Sequence, residues 1–191
     1  SQVTGSGITM TLLAYLIRCR ETPELASLPY IILVDRVDAA NSLIERLSDL
    51  PGSSEPIKAV MPTSALELEQ TLEAPGSRLV VTTWQMVRRL RREKKFSFSC
   101  LLVCFNAVQI GTSDYDLTSL FPRGNFILFA SGPVRQDDQR FEIFGKVIGK
   151  YDFLTAVADS YLLPVRIEQH PIGTRESKPK AAVEHSATRP H

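Results

Sequence analysis

The sequence predicts an α/β protein built around a mainly parallel sheet. Short apolar runs of strand length alternate along the chain with segments in which apolar residues recur every three or four positions. The runs are continuously apolar, as expected for strands that are buried on both faces. Strands that alternate with helices are typical of a parallel sheet with helices packed on its two sides. We therefore expect a central sheet flanked by helices.

A glycine-containing loop and a helix come first. The loop is Val3-Thr4-Gly5-Ser6-Gly7-Ile8-Thr9. The helical spacing i, i+3, i+4, i+7 then follows and predicts a helix that runs to about Arg20, with these residues on one face: Met10, Leu13, Ala14 and Ile17. The next apolar run, Tyr30-Ile31-Ile32-Leu33-Val34, predicts a buried strand that ends at Asp35.

The middle of the chain repeats this alternation. Helical spacing through Ala40, Leu43, Ile44 and Leu47 stops at Pro51-Gly52. A second strand is possible at residues 57–61. Ser64 and Glu67 fit a capping box, which predicts a short helix to about Glu73. Residues 78–83 form another apolar run, and a helix through Trp84, Val87 and Leu90 follows it.

Two further apolar runs and a polar tail complete the chain. Residues 98–105 and 125–130 predict two strands that are separated by a polar connection. In a parallel α/β sheet, ligands bind at the carboxyl ends of the strands. We therefore expect the glycine loop, Asp35, Thr82-Thr83 and Ser131-Gly132 to converge at one edge. The tail has almost no apolar residues and cannot order itself alone.

Composition limits the function classes. The 191 residues are 43% hydrophobic, which suits one globular domain, and 22 basic residues nearly balance 21 acidic ones. The global charge therefore favours neither nucleic acid nor membrane as a partner. Cys19, Cys100 and Cys104 lie in apolar runs, so we expect buried free thiols in a reducing compartment and a cytoplasmic protein. We expect no membrane span, and because residue 1 is Ser we expect a fragment or a processed product.

Six segments occur in an order that is specific to one family. They are Thr4-Gly5-Ser6-Gly7-Ile8-Thr9, Ile32-Leu33-Val34-Asp35-Arg36, Val81-Thr82-Thr83-Trp84-Gln85, Leu102-Val103-Cys104-Phe105-Asn106-Ala107, Phe129-Ala130-Ser131-Gly132-Pro133, and a closing segment that runs from Phe144-Gly145 through Asp159 to Pro164-Val165. This order resembles the first RecA-like motor lobe of the restriction (R) subunit of type I restriction enzymes, a superfamily 2 helicase-type translocase. The resemblance covers residues 4–168 and implies a RecA-like three-layer domain over residues 1–168. Residues 169–191 are then a linker or tail.

The chain departs from that family at the positions that carry its chemistry. Ile8 stands where the family's TGSGKT loop has its Lys, and an uncharged sec-butyl group cannot neutralise a phosphate. Cys104-Phe105-Asn106-Ala107 stands in place of the DEAH box, whose carboxylates hold Mg²⁺ and position the attacking water. Ala130 and Ser131 fall in the segment that corresponds to FTGTP, where both threonines are lost. The family's cofactors are ATP and Mg²⁺. Because the residues that would bind them are replaced, we expect no cofactor and no catalytic residue here.

Two interpretations of the glycine loop stay open. Thr4, Gly5, Ser6, Gly7 and Thr9 can form a helix-capping turn that binds nothing, or they can hold an anion or nucleotide weakly through backbone N–H groups. Thr9 is then a first-turn residue of the helix. Asp35 and Arg36 can likewise be no more than a strand end and a helix cap. No suitably spaced His or Cys pair indicates a metal site, and the histidines lie at residues 170, 185 and 191.

A basic run offers the strongest charge cluster. It comprises Arg88, Arg89, Arg91, Arg92, Lys94 and Lys95. Such a run can grip a duplex DNA backbone, or it can be a solvated helix C-terminus whose cations complement the helix dipole. Thr82 and Thr83 align with a family segment that touches the DNA backbone, whereas Trp84 beside them is interpreted as a core residue.

Three functions follow from these observations. The first is a degenerate motor lobe that serves as a DNA-contacting or scaffold module and contacts other domains or subunits of a restriction-modification complex. The second is an ATP-binding, DNA-dependent translocase lobe that is completed by a second lobe or partner. The third is a structural remnant that binds neither ligand.

Overall fold

Five parallel strands form one sheet in the computed structural model, which describes residues 7–48, 58–74, 79–90, 93–106, 117–130, 140–150 and 153–159. The strands are β1 (Tyr30–Val34), β2 (Ala59–Val60), β3 (Leu79–Thr83), β4 (Cys100–Phe105) and β5 (Gly124–Phe129). Their spatial order is β2-β3-β1-β4-β5. Every described pairing is parallel. The prediction of a mainly parallel α/β sheet is confirmed.

Eight helices precede, connect or follow these strands within the described ranges. They are α1 (Ile8–Glu21), α2 (Pro23–Ala26), α3 (Val37–Ser48), α4 (Ala65–Glu73), α5 (Trp84–Arg88), α6 (Leu117–Leu120), α7 (Arg140–Phe144) and α8 (Phe153–Ala158). The sequence correctly predicted α1, α3 and α5 from their apolar spacing and α4 from its capping box. It did not predict α2, α6, α7 or α8, because helices of four to six residues span little more than one turn. Helix α5 is as short, but its apolar spacing continues to Leu90.

Side chains of the three central strands alternate between two cores. One core packs α1 and α3 against Tyr30, Ile32 and Val34 of β1 and the matching positions of β3 and β4. The other packs α4, α5 and α6 against Ile31 and Leu33 and their neighbours. Every residue of β1 is buried, because both faces of the strand are covered. We call these the α1/α3 layer and the α4–α6 layer.

The strand register lines up the carboxyl ends of the sheet. Val34 of β1 is level with Thr83 of β3 and Phe105 of β4, and Phe105 is level with Phe129 of β5. The Tyr30 hydroxyl, at the start of β1, donates to the Leu25 carbonyl just after the end of α1, and Tyr15 in the middle of α1 packs on Phe129 at a ring-centroid distance of 5.7 Å. Helix α1 thus runs back along the sheet. The start of α1 therefore lies at the same edge as these four strand ends.

The caps follow the sequence where they can be described. The Ser64 hydroxyl accepts a hydrogen bond from the Glu67 amide, and the Glu67 carboxylate accepts from the amide and hydroxyl of Thr63. The capping box is therefore confirmed, with its return bond made one residue earlier. No helix within the described ranges is long and apolar enough to cross a membrane. The predicted polar tail, Pro51-Gly52 and the boundary at residue 168 lie outside the described residues.

Candidate functional site

The structure begins its description of the glycine loop at Gly7, which is the N-cap of α1. Gly7 has φ 80° and ψ 26°, a left-handed conformation that an L side chain adopts only at a cost. An added Cβ would meet no atom within 4 Å, so the constraint at this position is conformational and not steric. The Gly7 carbonyl accepts hydrogen bonds from the amide and the hydroxyl of Thr11. Gly7 therefore acts as the N-cap of α1.

The first turn of α1 carries no charged group. Ile8 is half-buried and packs against the α1/α3 core, and no acidic residue lies in the first turn. Thr9 is half-buried and lies in the first turn, as expected. Thr4, Gly5 and Ser6 lie outside the described residues. Among the described residues of this segment, the feature that favours an anion is the N-terminus of α1, through its backbone N–H groups and helix dipole.

The end of β4 is made of core residues. Cys104 is fully buried in the α4–α6 layer, level with Leu33 on one side and Leu128 on the other. Burial raises the pKa of the Cys104 thiol well above its ordinary value, so the group stays neutral. The same cause raises the pKa of Cys100 to about 12. The prediction of buried free thiols is confirmed for all three cysteines.

Phe105 and Asn106 complete this strand end. Phe105 faces the α1/α3 layer and is 7% exposed. Asn106 has φ 54°, a left-handed conformation that asparagine tolerates better than most residues, and its amide donates to the Phe129 carbonyl at 2.8 Å. Ala107 lies outside the described residues. Consecutive side chains of β4 thus enter opposite cores. Neither Cys104 nor Phe105 has a side-chain oxygen, so this strand end supplies no hard ligand from these two residues.

The neighbouring strand ends supply few polar groups. Asp35 is half-buried after β1. Exposed Arg36 forms an ion pair with exposed Asp38 at 3.6 Å. The Arg36 carbonyl accepts a hydrogen bond from the Ala40 amide at the start of α3. The arrangement agrees with the simpler interpretation of a strand end followed by a helix start. Ala130, which is buried, follows β5, and Ser131 lies outside the described residues.

The two threonines at the end of β3 are buried. Thr82 is 2% exposed, and its hydroxyl oxygen has no hydrogen-bond partner among the described residues. The Thr83 hydroxyl accepts from the Met86 amide and caps α5. Trp84 lies in the α4–α6 core, as predicted. With their side chains enclosed, Thr82 and Thr83 can reach a nucleic acid in this arrangement only through their backbone, and their DNA role stays a prediction.

The described part of the basic run contains exposed cations and one cation, Lys94, whose charge is neutralised by ion pairs. Arg88 ends α5 and is exposed, as are Arg89 and Lys95, whereas Arg91 and Arg92 lie outside the described residues. Lys94 is only 22% exposed and forms ion pairs with Glu69, at 2.6 Å, and with Glu73. The two carboxylates raise the pKa of the Lys94 ammonium. Ion pairs of Lys94 thus hold this part of the basic run against α4.

The ion pairs between Lys94 and α4 were not predicted from the sequence. Glu69 and Glu73 are four residues apart and lie on one side of α4, which was the available signal. Their partner is more than twenty residues away along the chain, so only the tertiary fold could reveal it. The Lys94 ammonium also lies 5.6 Å from the Phe96 ring centroid.

The fold and this arrangement of strand ends define a class: an α/β, RecA-like domain whose first described helix starts from a glycine at the carboxyl edge of a parallel sheet. The chain matches the family model of the SWI2/SNF2 ATPase over residues 2–189, and it therefore belongs to that family. This match confirms a superfamily 2 helicase-like motor lobe. The closer relationship to R subunits of type I restriction enzymes stays a prediction. No curated protein and no solved structure matches the chain.

Membership of an ATPase family raises the question of whether Mg²⁺ and ATP fit this edge. A phosphate site needs a cation in the loop, and Mg²⁺ needs hard oxygen ligands. Ile8, Cys104 and Phe105 provide a butyl group, a neutral thiol and a phenyl ring. Within the described ranges, no group of three or more His, Cys, Asp or Glu residues could hold a metal ion. The described side chains do not fit Mg²⁺-ATP, and we derive no step of hydrolysis through it.

Proposed function

We propose that this chain is a helicase-type motor lobe that lacks ATP hydrolysis of its own and serves as a DNA-contacting or scaffold module of a protein resembling a type I restriction R subunit. The first half of the proposal depends on one observation, which is that the end of β4 is part of the core. Phosphoryl transfer relies on positioned charges that neutralise the transferring group. A fully buried thiol at Cys104 and a buried ring at Phe105 supply none.

The DNA-contacting role is supported by the exposed cations after β3. Arg88, Arg89 and Lys95 are exposed, and the Lys94 ion pairs fix the segment that carries Lys95 against α4. Fixed, exposed cations lose less entropy when they bind phosphates than mobile ones do. Lys94 itself is excluded from this role, because Glu69 and Glu73 already neutralise it.

Measuring ATP turnover tests the first half of the proposal. Purified chain is assayed with ATP and Mg²⁺, with and without duplex DNA, next to an Ile8→Lys variant. We expect turnover at background in all four conditions, because restoring the loop cation does not restore the oxygen ligands at β4. DNA-stimulated turnover by the unmodified chain would disprove the proposal.

DNA binding tests the second half. We expect weak duplex binding that falls with salt, and a smaller salt dependence in an Arg88→Ala/Arg89→Ala variant. If each arginine contacts one phosphate, the log-log salt slope drops by about 2, and affinity at 50 mM salt falls by about tenfold more than at 200 mM. Arg18→Ala/Arg20→Ala is the matched control, since it removes the same charge from the end of α1.

Gel shifts at the two salt concentrations separate the outcomes. Equal loss in both double variants would show that only net charge matters. No binding at 50 mM salt by the unmodified chain would contradict DNA contact and leave the scaffold role.

A second candidate is an ATP-binding lobe that a further lobe or partner completes. It is favoured by the 14-residue helix α1, which begins at a left-handed glycine at the carboxyl edge of the sheet. Thermal shift with ATP in the presence and absence of Mg²⁺ tests it. Stabilisation by ATP that requires the metal would favour this candidate, whereas no stabilisation together with no DNA binding would leave a structural remnant.

A further inference from the structure

Two segments of the chain meet at the amino edge of the sheet. β4 begins at Cys100 and β5 at Gly124, and these two residues are level in the parallel register. The residues that directly precede the two strands therefore lie at one edge, which is opposite to the edge where Gly7 starts α1. The Phe96 amide donates to the Leu120 carbonyl at 2.8 Å, so the segments that lead into β4 and β5 are hydrogen-bonded to each other.

Aromatic rings hold these two segments together. The Phe96 and Phe121 rings stack at a centroid distance of 5.2 Å, and both are buried. The Phe98 ring packs on both of them, at centroid distances of 5.8 Å and 6.4 Å. Across the two strands, the side-chain amide of Asn125 donates to the Cys100 carbonyl. The backbone at this edge is therefore fixed from both strands, and the side chains that it carries are fixed relative to each other.

Each of the two segments carries an exposed cation next to the aromatic cluster. Lys95 directly precedes Phe96, and Arg123 lies two residues after Phe121. Both cations are exposed, and no described residue forms an ion pair with either of them. Arg123 is distant from the basic run in the sequence, so only the fold brings it to the same edge as Lys95.

The ion pairs of Lys94 direct Lys95 toward solvent. From Lys94 to Ser97 the residues are in turn half-buried, exposed, buried and exposed. Lys94 and Phe96 therefore lie on the inner side of the segment, where the Lys94 ammonium lies 5.6 Å from the Phe96 ring centroid and pairs with two carboxylates of α4. Lys95 lies on the outer side, and its cation is available to a partner.

The chemistry of this surface favours a phosphate backbone over a membrane. Within the described ranges, none of the exposed large apolar side chains belongs to residues 93–98 or 120–125. Stable membrane binding needs apolar or lipid groups in addition to a few cations. A nucleic acid needs only cations that reach its phosphates, because each contact releases condensed counterions.

We propose that Lys95 and Arg123 bind the phosphate backbone of duplex DNA at the amino edge of the sheet, together with Arg88 and Arg89 of the basic run. The inference rests on the proposed DNA contact. It adds Arg123, a binding residue outside the basic run, and it gives the surface a location. This surface is separate from the candidate site, which lies at the carboxyl edge.

Gel shifts with duplex DNA at 50 mM and 200 mM salt test the role of Arg123. Loss of one phosphate contact lowers the log-log salt slope by about 1, so Arg123→Ala should weaken binding about threefold more at 50 mM than at 200 mM salt. Arg123→Lys keeps the charge and should keep the slope. Arg46→Ala is the matched control, because it removes one exposed arginine from the last turn of α3, in the other helical layer.

NMR locates the contact without any substitution. Titration of the unmodified chain with the same duplex should shift the amide signals of residues 95–97 and 123–125 at the amino edge. The amide signals of residues 35–36 and 83–85, at the carboxyl edge, should shift less.

The possible failures of this inference and of the proposed DNA contact are distinguishable. If the chain binds DNA and Arg123→Ala binds as the unmodified chain does, this inference is wrong while the contact through Arg88 and Arg89 stands. Equal losses in Arg123→Ala and Arg46→Ala, or amide shifts confined to the carboxyl edge, would likewise overturn only the inference. No binding by the unmodified chain at 50 mM salt would overturn both, and binding to phosphatidylserine vesicles in place of DNA would assign the surface to a membrane.

Discussion

Replacing Cys104 by Asp puts a carboxyl group back at the end of β4, and the structure predicts that it destabilises the fold in a pH-dependent way. The side chain at this position is fully buried between Leu33 and Leu128. Burial of this degree raises a carboxyl pKa by about 3 units, and each unit corresponds to 1.36 kcal/mol, so the full loss is about 4 kcal/mol. A typical domain is stable by only about 5–15 kcal/mol.

The sign of the pH effect follows from the raised pKa. The variant keeps the stability of a neutral side chain below the unfolded-state pKa and loses stability as pH rises through the folded-state pKa. Between pH 5 and pH 8 we expect a further loss of about 2–3 kcal/mol, or about 1 M in the urea midpoint. The fluorescence of Trp84, the single tryptophan, reports unfolding because it lies in the same core as Cys104.

Cys104→Asn is the matched control for this experiment, because asparagine has the shape and polarity of aspartate without its charge. Its urea midpoint should be lowered by the buried amide but should not change between pH 5 and pH 8 beyond the change in the unmodified chain. Equal midpoints for the Asp and Asn variants at both pH values would refute the reasoning. That result would mean that the carboxylate at residue 104 reaches solvent or a cation.

Three further substitutions test other parts of the structure by urea unfolding. Thr82→Val should raise stability by about 1 kcal/mol, because it removes a buried hydroxyl without a described partner; a loss would reveal a hydrogen bond. Gly7→Ala should lower stability by about 1 kcal/mol through its left-handed φ, and an unchanged midpoint would contradict the N-cap conformation. Hydrogen bonds from Thr63 lower the Glu67 pKa, so a Glu67→Gln variant should be less stable than the unmodified chain at pH 7. That difference should vanish as pH falls through the lowered pKa, and a difference that persists in acid would contradict the role of the charge.

The strands were predictable because burial on both faces leaves a strong signal. β1 was predicted with its observed bounds, since all five of its residues are apolar and buried. β2 has only two residues, and the apolar run around it gave only a possible strand. The short helices gave no signal, because their formation depends on tertiary packing more than on local pattern.

The residue types at the candidate site could be predicted from the sequence, but the directions in which their side chains point could not. The sequence showed that Cys104 and Phe105 carry no hard oxygen ligand. It could not show that the two side chains enter opposite cores, which depends on the register with β1. The burial of Thr82 and the ion pairs of Lys94 likewise depend on elements that are distant in sequence.

The way in which β4 ends bears on what a carboxylate at this strand end would cost the fold. Replacing buried charged groups by apolar ones of similar volume is often neutral or stabilising, because the desolvation of the charges is avoided. Cys104 and Phe105 now contribute to the two cores that hold the sheet between its helices. A carboxylate at either position is therefore destabilising unless a cation compensates it, and the described first turn of α1 carries no charged side chain. Ile8→Lys and Cys104→Asp should therefore be additive in urea unfolding at pH 8, because Cys104 is fully buried in the α4–α6 layer whereas Ile8 packs against the α1/α3 core. A double variant that is more stable at pH 8 than the sum of the single effects would contradict this placement and show that the two side chains meet at this edge.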